Sequence, residues 1–148
     1  MDRRELILAR LPLLAAAATG VKAFRNTNDF SDLARPCIVT LDGDEEAEER
    51  DPEARPPNAP RRVMLKAQFV ALASGTAAAI GATINGYRAA LLKNVVTDAT
   101  LLTLVMDSAV RQSIRYQGAS MMISSGRTIE AELRLDFTFT YALRFDEL

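Results

Sequence analysis

The most regular part of the chain is the segment 129–145, with the sequence IEAELRLDFTFTYALRF. Apolar side chains occupy its odd-numbered positions and polar side chains its even-numbered positions, and only Ala142 breaks the alternation. A period of two predicts a β-strand with one face packed on a core and the other meeting water or a second subunit. At roughly 3.3 Å per residue the strand would extend for about 55 Å, so we expect it to bend, contain a bulge or project.

Four shorter segments are also predicted to be strands. Residues 108–117 precede the turn pair Ser125-Gly126, so they should form an antiparallel hairpin with the long strand. The other three predicted strands are residues 21–25, 37–41 and 62–73.

The N-terminal segment 2–18 is predicted to be a helix. Asp2 and Glu5 have the spacing of a capping box, and apolar residues then recur at helical spacing. Pro12 predicts either a kink or the start of a second helical turn, because proline lacks a backbone donor. Gly20 is the expected C-terminal stop.

A central helix is predicted over residues 76–95, where apolar side chains recur at steps of three and four. Asp98 should cap a short helix that follows. The opposite face of the central helix carries small side chains that could admit a neighbouring subunit, although a simply exposed alanine-rich face gives the same pattern. These small residues, the candidate subunit interface, are Ala78, Ala82, Gly86 and Ala89. Together the elements predict one α+β domain over residues 1–148, with a mostly antiparallel sheet flanked by helices.

Residues 42–60 differ in composition from the rest of the chain. They hold eight acidic residues against two arginines, a local charge of −6, and four of the six prolines. Because the whole chain has a net charge of −1, the remainder carries +5. Repulsion between carboxylates and the fixed φ angles of proline oppose collapse, so this segment is predicted to be a long flexible loop. The segregated charge would orient the subunit against a neighbour.

Residue types needed for common catalytic sites are missing. The chain has no histidine, which removes the commonest general base and metal ligand. It contains neither a GxxxxGK[ST] loop nor a GxGxxG motif, and Cys37, the single cysteine, has no second cysteine for zinc. We therefore expect no enzymatic activity, no cofactor and no metal.

Three further readings are disfavoured. Asp42, Asp44 and Glu46 alternate as calcium ligands do, but the glycine and terminal glutamate of an EF-hand loop are absent. Arginines on the predicted strands lack the interleaved aromatic residues of a nucleic-acid surface. The N-terminus resembles a secretory signal, but Glu5 and Arg10 interrupt its apolar run, which favours a soluble amphipathic helix.

Several segments together resemble the tail terminator and tail-completion proteins of long-tailed phages and phage-like particles. The likeness covers nearly the whole chain as a pattern. Its segments are residues 3–14, Phe24-Arg25-Asn26, 36–39, 41–45 with the acidic continuation, Leu101-Leu102, Tyr116-Gln117-Gly118 and the alternating strand from Leu133 to Tyr141.

This resemblance implies a small α+β subunit that acts in virion assembly. Six copies would form a ring at the head-proximal end of the tail tube, stop tube polymerisation and offer the interface for head or neck attachment. The implied partners are further copies of the chain, the tail tube protein and a neck or head-closure protein, with DNA only as passing cargo and no membrane. The subunit would assemble in the host cytoplasm and reside in the particle.

We expect the acidic segment to line the lumen or form a docking face, because its charge opposes that of the remaining chain. The candidate residues are Asp44, Glu45, Glu46, Glu48, Glu49, Asp51 and Glu53. Two other functions fit the sequence. One is a neck or head-closure ring, and the other is a small binding domain with an apolar pocket between sheet and helices.

Overall fold

Five strands of the described residues form one mixed sheet at the centre of the protein. The computed structural model describes residues 1–48, 56–106, 113–126 and 128–148. The strands are β1 (Lys22–Arg25), β2 (Cys37–Ala47), β3 (Arg61–Gly75), β4 (Ser113–Ser124) and β5 (Ile129–Leu143). Their order in the sheet is β1-β2-β3-β5-β4; β1 is parallel to β2 and the other neighbouring pairs are antiparallel.

The described part of the chain adds three α-helices to the sheet, which confirms the predicted α+β single domain. They are α1 (Arg3–Thr19), α2 (Ile80–Thr97) and α3 (Ala99–Val105), and a short 3-10 helix, Phe145–Glu147, follows β5. Within the described ranges, no helix combines the length and the apolar character needed to cross a lipid bilayer.

The alternating strand β5 pairs with β3 over 15 residues without a break in register, from Gly75–Ile129 to Arg61–Leu143. The strand therefore does not project, because β3 is equally long. The bulge expected in the long strand is therefore wrong as well, and register shifts occur instead in other strands, between Tyr116 and Gly118 in β4 and between Asp42 and Glu45 in β2. Bulges increase local twist, so these two shifts let a long sheet curve around its core.

All three helices pack on the face of the sheet that the odd-numbered residues of β3 and β5 form. The main core joins Leu11 of α1, Ile84 of α2 and Leu101 of α3 to Phe69, Phe137 and Phe139. Phe69 and Phe137 meet edge to face with ring centroids 5.6 Å apart, a favourable aromatic geometry. On the opposite face, a smaller cluster of Cys37, Val39, Val70 and Leu72 is covered in part by Phe30 and Leu33 from the β1–β2 connection.

The N-terminal helix agrees with the prediction at both ends. The Asp2 side chain accepts a hydrogen bond from the Arg4 amide, and Gly20, at φ 72°, donates its N–H to the Ala16 carbonyl. Pro12 lies inside the helix, which continues as a single element to Thr19. The structure therefore shows no second helix beginning at Pro12, and buried side chains on both sides of Pro12 hold the helix to the core.

The predicted flexible loop over 42–60 is wrong at its start. β2 does not end at Leu41 but continues to Ala47, and its residues pair with β3 up to Ala47–Val63. The repulsion expected among the carboxylates is offset by basic side chains from α1, β1 and β3. Residues 49–55 of the predicted loop lie outside the described residues.

Two other boundaries differ from the predictions. α2 begins at Ile80 rather than at 76, because the Thr76 carbonyl accepts hydrogen bonds from both Ala79 and Ile80 and forms a turn. Ala78 therefore lies in this turn and not on the helix. β4 runs from Ser113 to Ser124, seven residues beyond the predicted end at 117, because β5 supplies pairing partners along that length. The predicted β4 residues 108–112 lie outside the described residues.

Candidate interaction surfaces

The first carboxylate of the acidic segment, Asp42, joins three elements through one arginine. Arg25 of β1 donates to Asp42 at 2.8 and 3.0 Å and to Glu5 of α1 at 2.7 and 2.9 Å. Hydrogen bonding to Arg25 holds the pKa of Asp42 below its ordinary value, and the two carboxylates raise the pKa of Arg25. This triad, with Arg25 and Asp42 partly buried and Glu5 exposed, fixes the beginning of the acidic segment against the helix layer.

The bulge at Gly43-Asp44 turns Glu45 toward the same layer. Asp42 pairs with Ala67, and after the shift Glu45 pairs with Leu65, so both acidic side chains lie on the helix side. The hydroxyl of buried Tyr141 donates a hydrogen bond to Glu45. Burial, and next the hydrogen bond to Glu45, raise the pKa of Tyr141, so the phenol is protonated and serves as a donor.

The other acidic positions differ in their partners. Glu46, on the opposite face of β2, pairs with Lys66 at 2.6 Å, and Glu48 pairs with Arg62 at 2.5 Å. Asp44 is exposed at the bulge, and no ion pair to it occurs among the described residues. Because Asp42 and Glu46 face opposite sides, the three carboxylates considered for calcium do not converge. Glu49, Asp51 and Glu53 lie outside the described residues.

The small-residue face of α2 is open to solvent. Ala82, Gly86 and Ala89 are all exposed and recur at steps of four and three, so they form one stripe along the helix. A Cβ atom built on Gly86 would meet no heavy atom within 4 Å. Ala78 is exposed in the preceding turn. The structure therefore leaves space for a close neighbour along this stripe.

The free edge of β4 is a surface that we did not predict from the sequence. At its C-terminal end, Met121, Met122 and Ile123 are 42%, 66% and 59% exposed, although all three are apolar. At the other end, Tyr116 packs against Phe137, and the Arg88 guanidinium lies 5.9 Å from the centre of the Tyr116 ring. Consecutive exposed apolar residues on a sheet edge are typical of an interaction site, and the run Met121-Met122-Ile123 was the available signal.

A pocket opens on the sheet face away from the helices. This open groove has a volume of about 650 Å³ and is lined by Leu41, Lys66, Gln68 and Asp136, among others. Gln68 donates to Asp136 at 2.7 Å and accepts from Arg134 at 3.0 Å. The binding-domain reading expected an apolar pocket between sheet and helices, but large side chains fill that layer.

The architecture places the chain in the class of single α+β domains with a mixed sheet and helices on one face. Its exposed surfaces lie on α2, on β4 and at the acidic end of β2. No protein-family model and no curated protein matches the chain. Among solved structures, a similar one is a chain from "Virion of native gene transfer agent (GTA) particle". The match covers 93% of this chain and 91% of that chain, with 14% identity and a TM-score of 0.50. At this identity the likeness concerns the fold.

Proposed function

We propose that this chain is a non-catalytic structural subunit of a phage-like particle and, more specifically, its tail terminator. Six copies would form a ring at the head-proximal end of the tail tube, end its polymerisation and present the attachment surface for the head or neck. The observation that carries the proposal is the fold shared over nearly the whole chain with a chain of a gene transfer agent virion.

Surface features of the described residues support an assembly role. The α2 stripe and the β4 edge expose small and apolar side chains, whereas Asp42 and Glu46 of the acidic segment are engaged in ion pairs that hold β2 in the sheet. A tube-ending ring needs contact surfaces on at least two sides of each subunit, one for each neighbour. The α2 stripe and the β4 edge are candidates for the surface that meets one of these neighbours.

The function is tested by co-expressing the chain with the tail tube protein of the same particle and measuring tube lengths by negative-stain electron microscopy. A terminator should shorten the tubes and appear as a ring on one end. Rings that bind a portal-side protein but leave tube length unchanged would instead support the neck or head-closure reading. A chain that stays monomeric and leaves the tubes unchanged would refute both ring readings and favour a binding domain.

The subunit interface proposed on α2 is tested by Ala82→Arg and Gly86→Arg. Each places a long charged side chain on the open stripe and should reduce the mass of the assembly measured by light scattering. Ala9→Arg, at an exposed position of α1, is the matched control and should leave the mass unchanged. Equal masses for all three variants would exclude the stripe as an interface.

The proposed lumen or docking role of the acidic segment needs a test that spares β2. Deleting residues 44–53 would also remove strand residues that pair with β3. The combined substitution Glu49→Gln, Asp51→Asn and Glu53→Gln changes only charge. Rings that form and join tails as efficiently as the wild type would show that these three charges have no assembly role.

A further inference from the structure

The outer edge of the sheet on the β2 side has an excess of negative charge. β1 covers only Cys37–Thr40 of β2, so β2 itself forms the sheet edge from Leu41 onward. The carboxylates around this stretch are Glu5, Asp42, Asp44, Glu45, Glu46 and Glu48, and the cations paired with them are Arg4, Arg25, Arg62 and Lys66. Six against four leaves two negative charges, and exposed Asp44 has no ion pair among the described residues.

The opposite edge of the sheet has an excess of positive charge. Arg115 of β4 is exposed, and it pairs in register with Thr138, whose side chain points away from the helices. Arg88 of α2 flanks the same strand end from the helix side, over the Tyr116 ring. Neither α2 nor β4 contains an acidic residue, and no carboxylate pairs with Arg88 or Arg115 in the part of the chain that the structure describes.

The strand register sets the acidic residues of the β2 edge and the basic residues of the β4 edge at the same level along the strands. One row of paired residues runs Asp42–Ala67–Phe137–Tyr116, and a second runs Glu45–Leu65–Phe139–Ile114. Arg115 lies between these rows at one edge, and the bulge at Asp44 lies between them at the other. Two copies can therefore bring opposite charges together side by side, with no shift along the strands.

The exposed apolar end of β4 lies opposite β1 along the remaining length of the two edges. The row Lys22–Cys37–Leu72–Glu132–Met122 sets the exposed apolar end of β4 level with β1. β4 runs antiparallel to β2, because the three strand pairs that connect them, β2–β3, β3–β5 and β5–β4, are all antiparallel. A β4 edge approaching the β1–β2 edge of a second copy would thus have antiparallel orientation, apolar side chains against β1 and cations against Asp44.

We propose that the β4 edge of one copy docks on the β1–β2 edge of the next copy, with Arg115 and Arg88 facing Asp44 and Glu46. This inference rests on the proposed ring-forming function and names the subunit contact within it. The contact is head to tail, so each copy uses one edge for each neighbour. Because the complementary charges lie at one level, repeated docking involves no rise along the strand direction, which favours a closed ring over a helical filament.

The test uses two charge reversals in the full chain, Arg115→Glu and Asp44→Lys. Each variant alone sets like charges together at every contact and should weaken association roughly tenfold, as measured by light scattering over a concentration series. An equimolar mixture should restore assembly, because Glu at position 115 of one variant meets Lys at position 44 of the other, and the native Arg115 meets the native Asp44. Raising the salt to about 1 M should reduce the differences, since the screening length falls to about 3 Å.

Asp146→Lys is the control for Asp44→Lys, because it makes the same charge change at an exposed position that belongs to neither edge strand. It should assemble like the wild type, and circular dichroism should show the native fold in every variant. If wild-type rings form and end tail tubes but both reversals assemble normally, the edge contact is refuted and the proposed function stands. If the wild type forms no assembly, alone or with tail tubes, both are refuted. If neither variant assembles by itself but the equimolar mixture does, the edge contact is established.

Discussion

Gly43→Ala is expected to destabilise the fold by about 1–3 kcal/mol, because β2 and β3 approach each other too closely there for a side chain. A Cβ atom on Gly43 would lie 2.5 Å from the carbonyl oxygen of Lys66 and 2.9 Å from its carbonyl carbon. Ordinary contact begins at 3.4 Å, so the strands would have to separate locally by about 0.9 Å. Both contacts are backbone atoms, which cannot rotate out of the way.

The expected loss corresponds to a fall in Tm of about 2–12 °C for a domain of this size. The loss in free energy of unfolding is measured by urea unfolding of the wild type and the variant at one protein concentration, with the association state checked in parallel. Gly86→Ala is the matched control. No heavy atom lies within 4 Å of its new Cβ, and alanine in a helix interior should stabilise by about 0.5–1 kcal/mol. If Gly43→Ala is as stable as the wild type while Gly86→Ala is more stable, β2 does not continue beside Lys66 as described.

Three further outcomes are expected. Asp98→Ala should cost about 1–2 kcal/mol in urea unfolding, because Asp98 caps α3 through the Leu101 amide and pairs with Arg10 at 2.7 Å; Asp98→Asn keeps the cap and should lose less. Tyr141→Phe should cost about 1.5–3 kcal/mol, and a double-mutant cycle with Glu45→Gln should show that most of the loss disappears when the carboxylate is absent. Arg25 and Arg10 hold the pKa values of Asp42 and Asp98 below the ordinary 3.8. The stability that these two ionised carboxylates contribute is therefore present above pH 3.8 and should fall as the pH drops through their lowered pKa values. A free energy of unfolding that is independent of pH below about 4 would contradict this expectation.

The elements with a strong local pattern could be predicted from the sequence. Alternation identified β5, the spacing of three and four identified the buried face of α2, and Gly20 marked the end of α1. The acidic half of β2 could not be predicted, because its carboxylates repel one another in isolation. The residues that offset this repulsion, Arg4, Arg25 and Lys66, come from other elements and reach β2 only in the folded chain.

Two candidate surfaces illustrate the same limit. The α2 stripe could be predicted from helical spacing alone, and three of its four predicted residues lie on one exposed helix face. The fourth, Ala78, was misassigned because the turn at Thr76 precedes the helix, which begins only at Ile80. The β4 edge was missed because sequence spacing does not reveal which strand of a sheet has no outer neighbour. Strand order is a long-range property, and β5, although it follows β4 in the chain, inserts between β4 and β3.

That insertion also determines when a newly made chain can fold. β3 pairs with β5 across a separation of 54 residues at the nearest pair, Gly75–Ile129, and of 82 at the farthest, Arg61–Leu143. While β5 is still inside the ribosome, β3 has no neighbour on that side, β4 has no place in the sheet, and much of the helix layer has no surface to cover. Folding therefore waits for the last strand, and pairing at such long range is slow. An interrupted chain would lack both a completed core and the β4 edge, so truncated subunits could not make the edge contact that we propose.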